Sequence, residues 1–417
     1  MILFGAGSSA PFDIPCMVEF TESFVSQRDS SPLITLVKEG ISRSDSAIGT
    51  PFPFDLETLL SVLNDLSGME RRKPISIPTA SILVSEGLNL KQAQEKFGKE
   101  ATSTLHELRK YIFDICMEPI KKGRKEGYSF LDQFYGPLMT MLNMTSLDNL
   151  QGAINDVYST NWDLCFKQWA DYVSLSINDA TGLDKQSNPV LDISKIGTDS
   201  PQGFTYVPLH GSLDLVKLSR PKGHGTFEDI HRIPDPIGYF ENKPDNLRDL
   251  FLIYPLEAVG YEESVRSPYL DMLIALRSKL RSSFFLFIIG YSLRDPTIGS
   301  ILEEVVAERI RNREMRPLSP NLENRAKESS QSQFKIIVFS PNPEQLAQNL
   351  ERQGFANVLN TFIPIKVTFP KVSDPEFKLK YSKVLGDLFV ALQLIGFISP
   401  AMGQRLVERI RAYGFSI

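Results

Sequence analysis

Four runs of apolar, strand-forming residues in this chain each end in a short polar motif, and that arrangement narrows the available folds more than any other feature. Ile2-Leu3-Phe4 leads into Gly5-Ala6-Gly7-Ser8-Ser9, and Ile154 to Ser159 leads into Thr160-Asn161-Trp162-Asp163. Phe204 to Val207 leads into Leu209-His210-Gly211-Ser212, and Phe284 to Ile289 into Gly290-Tyr291-Ser292-Leu293-Arg294-Asp295. The last run is continuously apolar and bounded by turn residues, as a central strand buried on both faces should be. In an open parallel sheet, ligands bind in the crevice outside the carboxyl ends of the strands, so motifs distant in sequence can converge on one site. The expected fold is therefore α/β, a Rossmann-like parallel sheet flanked by helices.

The chain divides around this sheet. Residues 1–54 read as strand, glycine loop and helix, closing in a Ser/Gly/Pro-rich connection through Ser42-Arg43-Ser44-Asp45-Ser46 and Pro51-Phe52-Pro53. Residues 55–150 read as a helical insertion: Leu56, Leu59, Leu60 and Leu63 share one helical face, and helices are predicted over Leu88 to Met117 and Phe130 to Leu142. The alternation of strand and helix resumes over 151–370, with polar loops expected at Asn178 to Ser200 and at 215–250, and a mobile surface loop at Arg316 to Gln333. Strands are predicted at Lys335 to Phe339 and Ile363 to Thr368. Residues 371–417 read as two helices broken at Pro400, and Leu406 and Ile410 on the last serve either internal packing or a subunit interface.

Composition sets limits on function. A net charge of −5 argues against strong direct nucleic-acid binding, and Lys121-Lys122-Gly123-Arg124-Lys125 reads as a solvated loop. Three scattered cysteines, Cys16, Cys116 and Cys165, leave no zinc ribbon and no disulfide framework, which suits a reducing compartment. The longest apolar stretch, Val384 to Ile398, is too short to span a bilayer. With a glycine loop almost at residue 1 and no signal peptide before it, a cytoplasmic location is expected.

Gly5-Ala6-Gly7-Ser8-Ser9-Ala10 satisfies G-x-G-x-x-A. Its first glycine permits a tight turn, its second admits a pyrophosphate, and a following helix would supply N–H groups and a positive dipole. A dehydrogenase would place an acidic residue at a strand end some 20 residues on, but Pro15 to Ser26 reads as helix. Asn and Asp in Thr160-Asn161-Trp162-Asp163 suit helix caps, yet one cap accounts for one position only. His210 reads as a core histidine or, beside a flexible glycine, as a site residue. The other histidines lack ligand spacing, so no metal is expected. Asp295-Pro296 reads as N-cap and N1 of a helix, leaving Gly290 and Ser292 to touch a ligand.

In this order the motifs resemble the sirtuin-like superfamily, in particular its bacterial branch of NAD-consuming, antiphage-defence proteins. The resemblance rests on Gly5-Ala6-Gly7-Ser8-Ser9 with Ile14-Pro15, on Ser159 to Asp163, on His210-Gly211, and on Gly290 to Asp295. It implies NAD as substrate, with Gly5, Ala6, Gly7, Ser8, Pro15, Thr160, Asp163, Gly290 and Ser292 binding it. It also implies that Asn161 orients the ribose and attacking water, that Asp163 holds the nicotinamide carboxamide, and that His210 takes a proton. Two departures qualify it: the four-cysteine zinc module of the deacylases is missing, and Asp13 replaces the glycine that precedes Ile-Pro. The implied activity is NAD hydrolysis to nicotinamide and ADP-ribose, gated to protect the host. Deacylation or ADP-ribosyl transfer, and non-catalytic NAD or ADP-ribose sensing, are the alternatives. The implied partners are further copies of the chain in a homo-oligomer, or a regulatory DNA-translocase-like ATPase or Argonaute-type protein.

Overall fold

The computed structural model describes residues 1–28, 31–48, 54–68, 75–143, 156–184, 186–199, 203–218, 229–253, 267–314, 334–398 and 400–417. Their strands fall into two sheets. The larger holds β1 (Ile2–Phe4), β2 (Asp156–Ser159), β3 (Ser176–Asn178), β6 (Gly203–Pro208), β10 (Phe285–Ile289), β11 (Lys335–Ser340) and β12 (Phe362–Lys366). It runs in the order β12-β11-β10-β1-β2-β6-β3, and every pairing is parallel. Ile2 sits between Val157 and Phe287, so the shortest strand lies at the centre of the sheet.

Both faces of this sheet are covered, which is why its central strands read as unbroken apolar runs. Ile2, Phe4, Val157, Phe287, Ile289 and Phe339 point into one core, and Leu3, Tyr158, Leu286, Ile288, Ile336 and Val338 into the other. The first core is filled by helices α1 (Met17–Ser26), α2 (Pro32–Ile48), α3 (Leu56–Ser67), α4 (Ile77–Ser85), α5 (Leu90–Glu126), α6 (Ser129–Asn143) and α7 (Cys165–Tyr172). The helices Tyr269–Ser282 and Pro296–Glu314 fill the second. Phe377–Leu394 and Pro400–Ala412 pack on α6, where Leu406 and Ile410 are buried and so unavailable to a subunit contact. The helices between β1 and β2 thus share one continuous core with the sheet and the C-terminal helices.

Several loops expected from the sequence are ordered structure. Asn178 to Ser200 and 215–250 contribute β4 (Thr181–Leu183), β5 (Pro189–Leu191), β7 (Gly211–Leu218), β8 (Asp229–Arg232) and β9 (Leu250–Leu252), with α8 (Pro236–Asn242) between the last two. These strands form an antiparallel sheet in the order β4-β5-β8-β7-β9. Most of them are too short for an alternation to register, and the Pro and Gly residues punctuate turns between them. The connection at Ser42 to Ser46 lies within α2, and Lys121 to Lys125 forms the end of α5, where Arg124 pairs with Asp235 at 2.5 Å. The expected loop at Arg316 to Gln333 lies outside the described residues.

Among the described residues no helix is long and apolar enough to cross a membrane. The three cysteines are free, and no group of His, Cys, Asp and Glu side chains is placed to hold a metal.

Candidate nucleotide site at the head of the parallel sheet

The strand order reverses at β1, with β2 on one side and β10 on the other. Such a reversal opens a crevice between loops that leave toward opposite faces. Here the loops after β1 and β10 are packed against each other: Gly5 N–H donates to Ile289 O at 2.9 Å, and Gly7 N–H to Gly290 O at 2.8 Å. A Cβ on Gly5 would overlap the Tyr291 backbone. One on Gly290, where φ is +65°, would overlap Gly7 and Ser8. Gly290→Ala is expected to lower the unfolding free energy by about 2–4 kcal/mol, combining overpacking with a left-handed backbone. Urea denaturation measures this, and a loss well below 1 kcal/mol would mean that the two loops separate freely.

The glycine loop does not lead straight into an α-helix. Two 3₁₀ turns, Ala6–Ser8 and Ala10–Phe12, follow it, and α1 starts only at Met17. The loop is instead fastened to the end of β2. Asn161 Nδ2 donates to Ser8 Oγ at 3.0 Å and to Ser9 Oγ at 2.8 Å, and the Ser9 hydroxyl donates to Asp163 Oδ2 at 2.6 Å. The N–H groups of Ser8 and Ser9 turn back onto Gly5 O and Ala6 O, so together with the bonds to Ile289 O and Gly290 O the N–H groups of Gly5, Gly7, Ser8 and Ser9 are all engaged. Asp163 Oδ1 accepts the Cys165 N–H at 3.0 Å, which occupies the second oxygen of that carboxylate. Asn161 Oδ1 is buried and has no partner among the described residues, an exception to the rule that buried polar atoms are paired.

His210 lies where the chain passes from β6 in the parallel sheet to β7 in the antiparallel one. Its carbonyl accepts Ile253 N–H at 2.9 Å and Trp162 Nε1–H at 3.0 Å. Gly211, at φ +80°, does not serve to leave the imidazole room: a Cβ there would overlap Phe251 O of the adjacent β9. The imidazole Nε2 stands 3.0 Å from Asp295 Oδ2, with both side chains at most 3% exposed. Asp295 Oδ1 meanwhile accepts the Thr297 N–H at 2.8 Å, capping the helix Pro296–Glu314. One carboxylate thus caps a helix and orients a histidine.

A cavity of about 270 Å³ lies over this junction, just below the roughly 300–1,000 Å³ of typical ligand pockets. Of the residues selected from the sequence, Ala6, Gly7, Thr160, His210, Gly290 and Ser292 line it. Gly5, Ser8, Asn161 and Asp163 lie behind the wall, in the bonds that shape it, and Pro15 is half-buried away from it.

Other lining residues escaped the sequence reading: Asp55, Glu57, Arg294, Asp295, Ser340 and Asn342. Asp55 caps α3 by accepting Thr58 N–H at 3.0 Å and pairs with Arg294 at 3.1 Å. Burial pushes the Asp55 carboxyl up from its ordinary range. Burial, reinforced by Asp55 and Asp295 and opposed by Arg294, pushes the Glu57 carboxyl up to about 8. Asp55 and Glu57 look in sequence like an ordinary cap and acidic first turn, and Asp295 like a cap alone. The only signal for the latter was its place at the end of a strand-end motif.

Neither the protein-family models nor the curated proteins include a match to this chain.

Proposed function

We propose that the cavity binds NAD and that the chain hydrolyses its nicotinamide–ribose bond, releasing nicotinamide and ADP-ribose. The observation that carries this reading is the His210–Asp295 pair, buried on the wall of a cavity at the strand-order reversal of a Rossmann-like sheet. With Nε2–H directed to Asp295, Nδ1 is the nitrogen free to accept a proton. Nicotinamide leaves as a neutral molecule from a cationic ring, so no strong acid is required. The site must instead stabilise an oxocarbenium-like ribose carbon and direct water to it. As the C1′–N bond breaks and the water oxygen bonds to C1′, His210 takes the water's proton, and Asp295 stabilises the imidazolium. Asn161 lies behind the wall and holds the glycine loop through Ser8 and Ser9, a positioning role in the proposed site. Arg294, the only lysine or arginine on the wall among the described residues, offers its guanidinium to the diphosphate.

The resemblance to NAD-consuming defence proteins agrees with this chemistry. It adds the proposals that activity is gated, through a homo-oligomer or a regulatory partner, and that the chain acts in antiphage defence. The test is incubation with NAD and chromatography for nicotinamide and ADP-ribose, alone and with candidate partners. Equal amounts of both products are expected from wild type. NAD that binds and stays intact under every condition would replace this reading with that of a sensor, and nicotinamide release only with an acylated peptide would replace it with that of a deacylase.

A further inference from the structure

Glu57 reaches the cavity from the first turn of α3, so the helical insertion, and not the sheet, supplies it. Asp55 stands on the same turn, and Asp295 and Arg294 face Glu57 from the loop after β10. Arg294 is paired with Asp55 at 3.1 Å, and the Glu57 carboxyl makes no hydrogen bond among the described residues. His210, Cys16 and Tyr291 are the other ionisable side chains on the wall among the described residues. The Tyr291 hydroxyl is buried near Glu57 and Asp295, with the Asp295 amide close by and no partner at hydrogen-bonding geometry. A carboxyl on a cavity wall with no hydrogen-bond partner among the described residues is what a polar ligand group would satisfy.

We propose that Glu57 recognises the uncharged carboxamide of the substrate's leaving base, and thereby selects a carboxamide over a carboxylate at that position. This rests on the NAD-hydrolase reading. Burial, then Asp55 and Asp295, outweigh Arg294 and keep Glu57 protonated at neutral pH. A protonated carboxyl offers one O–H donor and one acceptor. A primary carboxamide presents the complementary pair, a C=O acceptor and an N–H donor. A carboxylate in its place would meet Asp55 and Asp295 as like charges, an unfavourable arrangement in a partly buried site. Asp163, given this role by the resemblance, has both oxygens engaged behind the wall.

The experiment measures steady-state cleavage of NAD and of its carboxylate analogue, nicotinate adenine dinucleotide, between pH 6 and 9. It uses wild type, Glu57→Gln and Glu57→Ala. Wild type should favour NAD by tenfold or more in kcat/KM at pH 7, and its KM for NAD should rise severalfold above pH 8 as Glu57 ionises. Glu57→Gln, which keeps a donor and an acceptor at every pH, should abolish that rise. Glu57→Ala should raise KM about tenfold and erode the discrimination.

Urea denaturation gives a readout independent of turnover. A carboxyl whose folded value is raised contributes stability that is complete below its unfolded value, about 4.3, and is lost as pH rises toward about 8. Glu57→Gln should therefore be more stable than wild type at pH 8, and the gap should narrow as pH falls and close below about pH 4. Cleavage of both dinucleotides by Glu57→Ala with wild-type KM and selectivity would overturn this proposal and leave the hydrolase standing. Absence of NAD cleavage in wild type would overturn the hydrolase reading and this proposal together, so wild type alone tells the two failures apart.

Discussion

His210→Ala is expected to lower NAD cleavage by about 10²–10⁴-fold, the usual contribution of a positioned general base, with little change in NAD affinity. The imidazole is almost wholly enclosed, and its hydrogen-bond partner among the described residues is Asp295. Removing it takes away the proton acceptor and leaves the capping oxygen of Asp295 on Thr297 N–H. Asp295→Asn separates the two duties of that carboxylate. An asparagine can still cap the helix but gives no charge to stabilise an imidazolium, so a smaller loss, about 10–10²-fold, is expected with the fold intact. Product formation over a range of NAD concentrations, with circular dichroism of each variant, measures both effects. A His210→Ala enzyme within twofold of wild type would remove this residue from the chemistry.

Asp214→Ala is expected to cost about 3–5 kcal/mol of stability, the penalty for stripping one member from a buried ion cluster. Asp214 on β7 accepts from Arg232 of β8 at 2.5 Å and from Lys167 of α7 at 2.9 Å. Asp179, just after β3, pairs with Lys167 at 2.5 Å and with Arg232 at 3.3 Å. Two cations and two anions thus join the antiparallel sheet to the parallel one. Burial alone would push both carboxyls up, but Arg232 and Lys167 outweigh it and hold both below the ordinary carboxylate range. The unfolded chain therefore takes up protons at higher pH than the folded one. The stability these groups supply is present above an unfolded carboxyl value of about 4 and is lost as pH falls below it. Urea midpoints between pH 3 and 7 should show wild type losing stability below about pH 4, with a shallower loss in Asp214→Ala. A variant as stable as wild type at pH 7 would show that the cluster contributes nothing net.

The parts of the fold with strong periodicity were legible in the sequence. Phe284 to Ile289 announced a central strand, Leu56 to Leu63 announced a helix, and strand-end motifs marked the head of the sheet. The antiparallel sheet was hidden because strands such as Thr181–Leu183 and Leu250–Leu252 are too short for a period to register. Long-range pairing in space, not local pattern, makes them strands. The site followed the same division. Gly7, Thr160, His210 and Gly290 could be picked out because strand ends collect ligand-binding residues. Glu57 could not, because its unusual protonation arises first from burial in the folded chain, then from Asp55 and from Asp295, more than half the chain away in sequence. Asp295 was read correctly as a cap, and its second duty depended on a histidine that only folding brings near.

The central position of β1 bears on when the crevice can be assembled. A ribosome makes these residues before their partners Val157 and Phe287, and before Gly290, which shapes the loop they carry. Such non-local pairings form slowly, because loop closure is costly before contacts compensate it. A nascent chain that has not reached β10 has the glycine loop without its opposing wall, and His210 without Asp295. Synthesis order therefore keeps the crevice unassembled until β10 and the loop after it have been made.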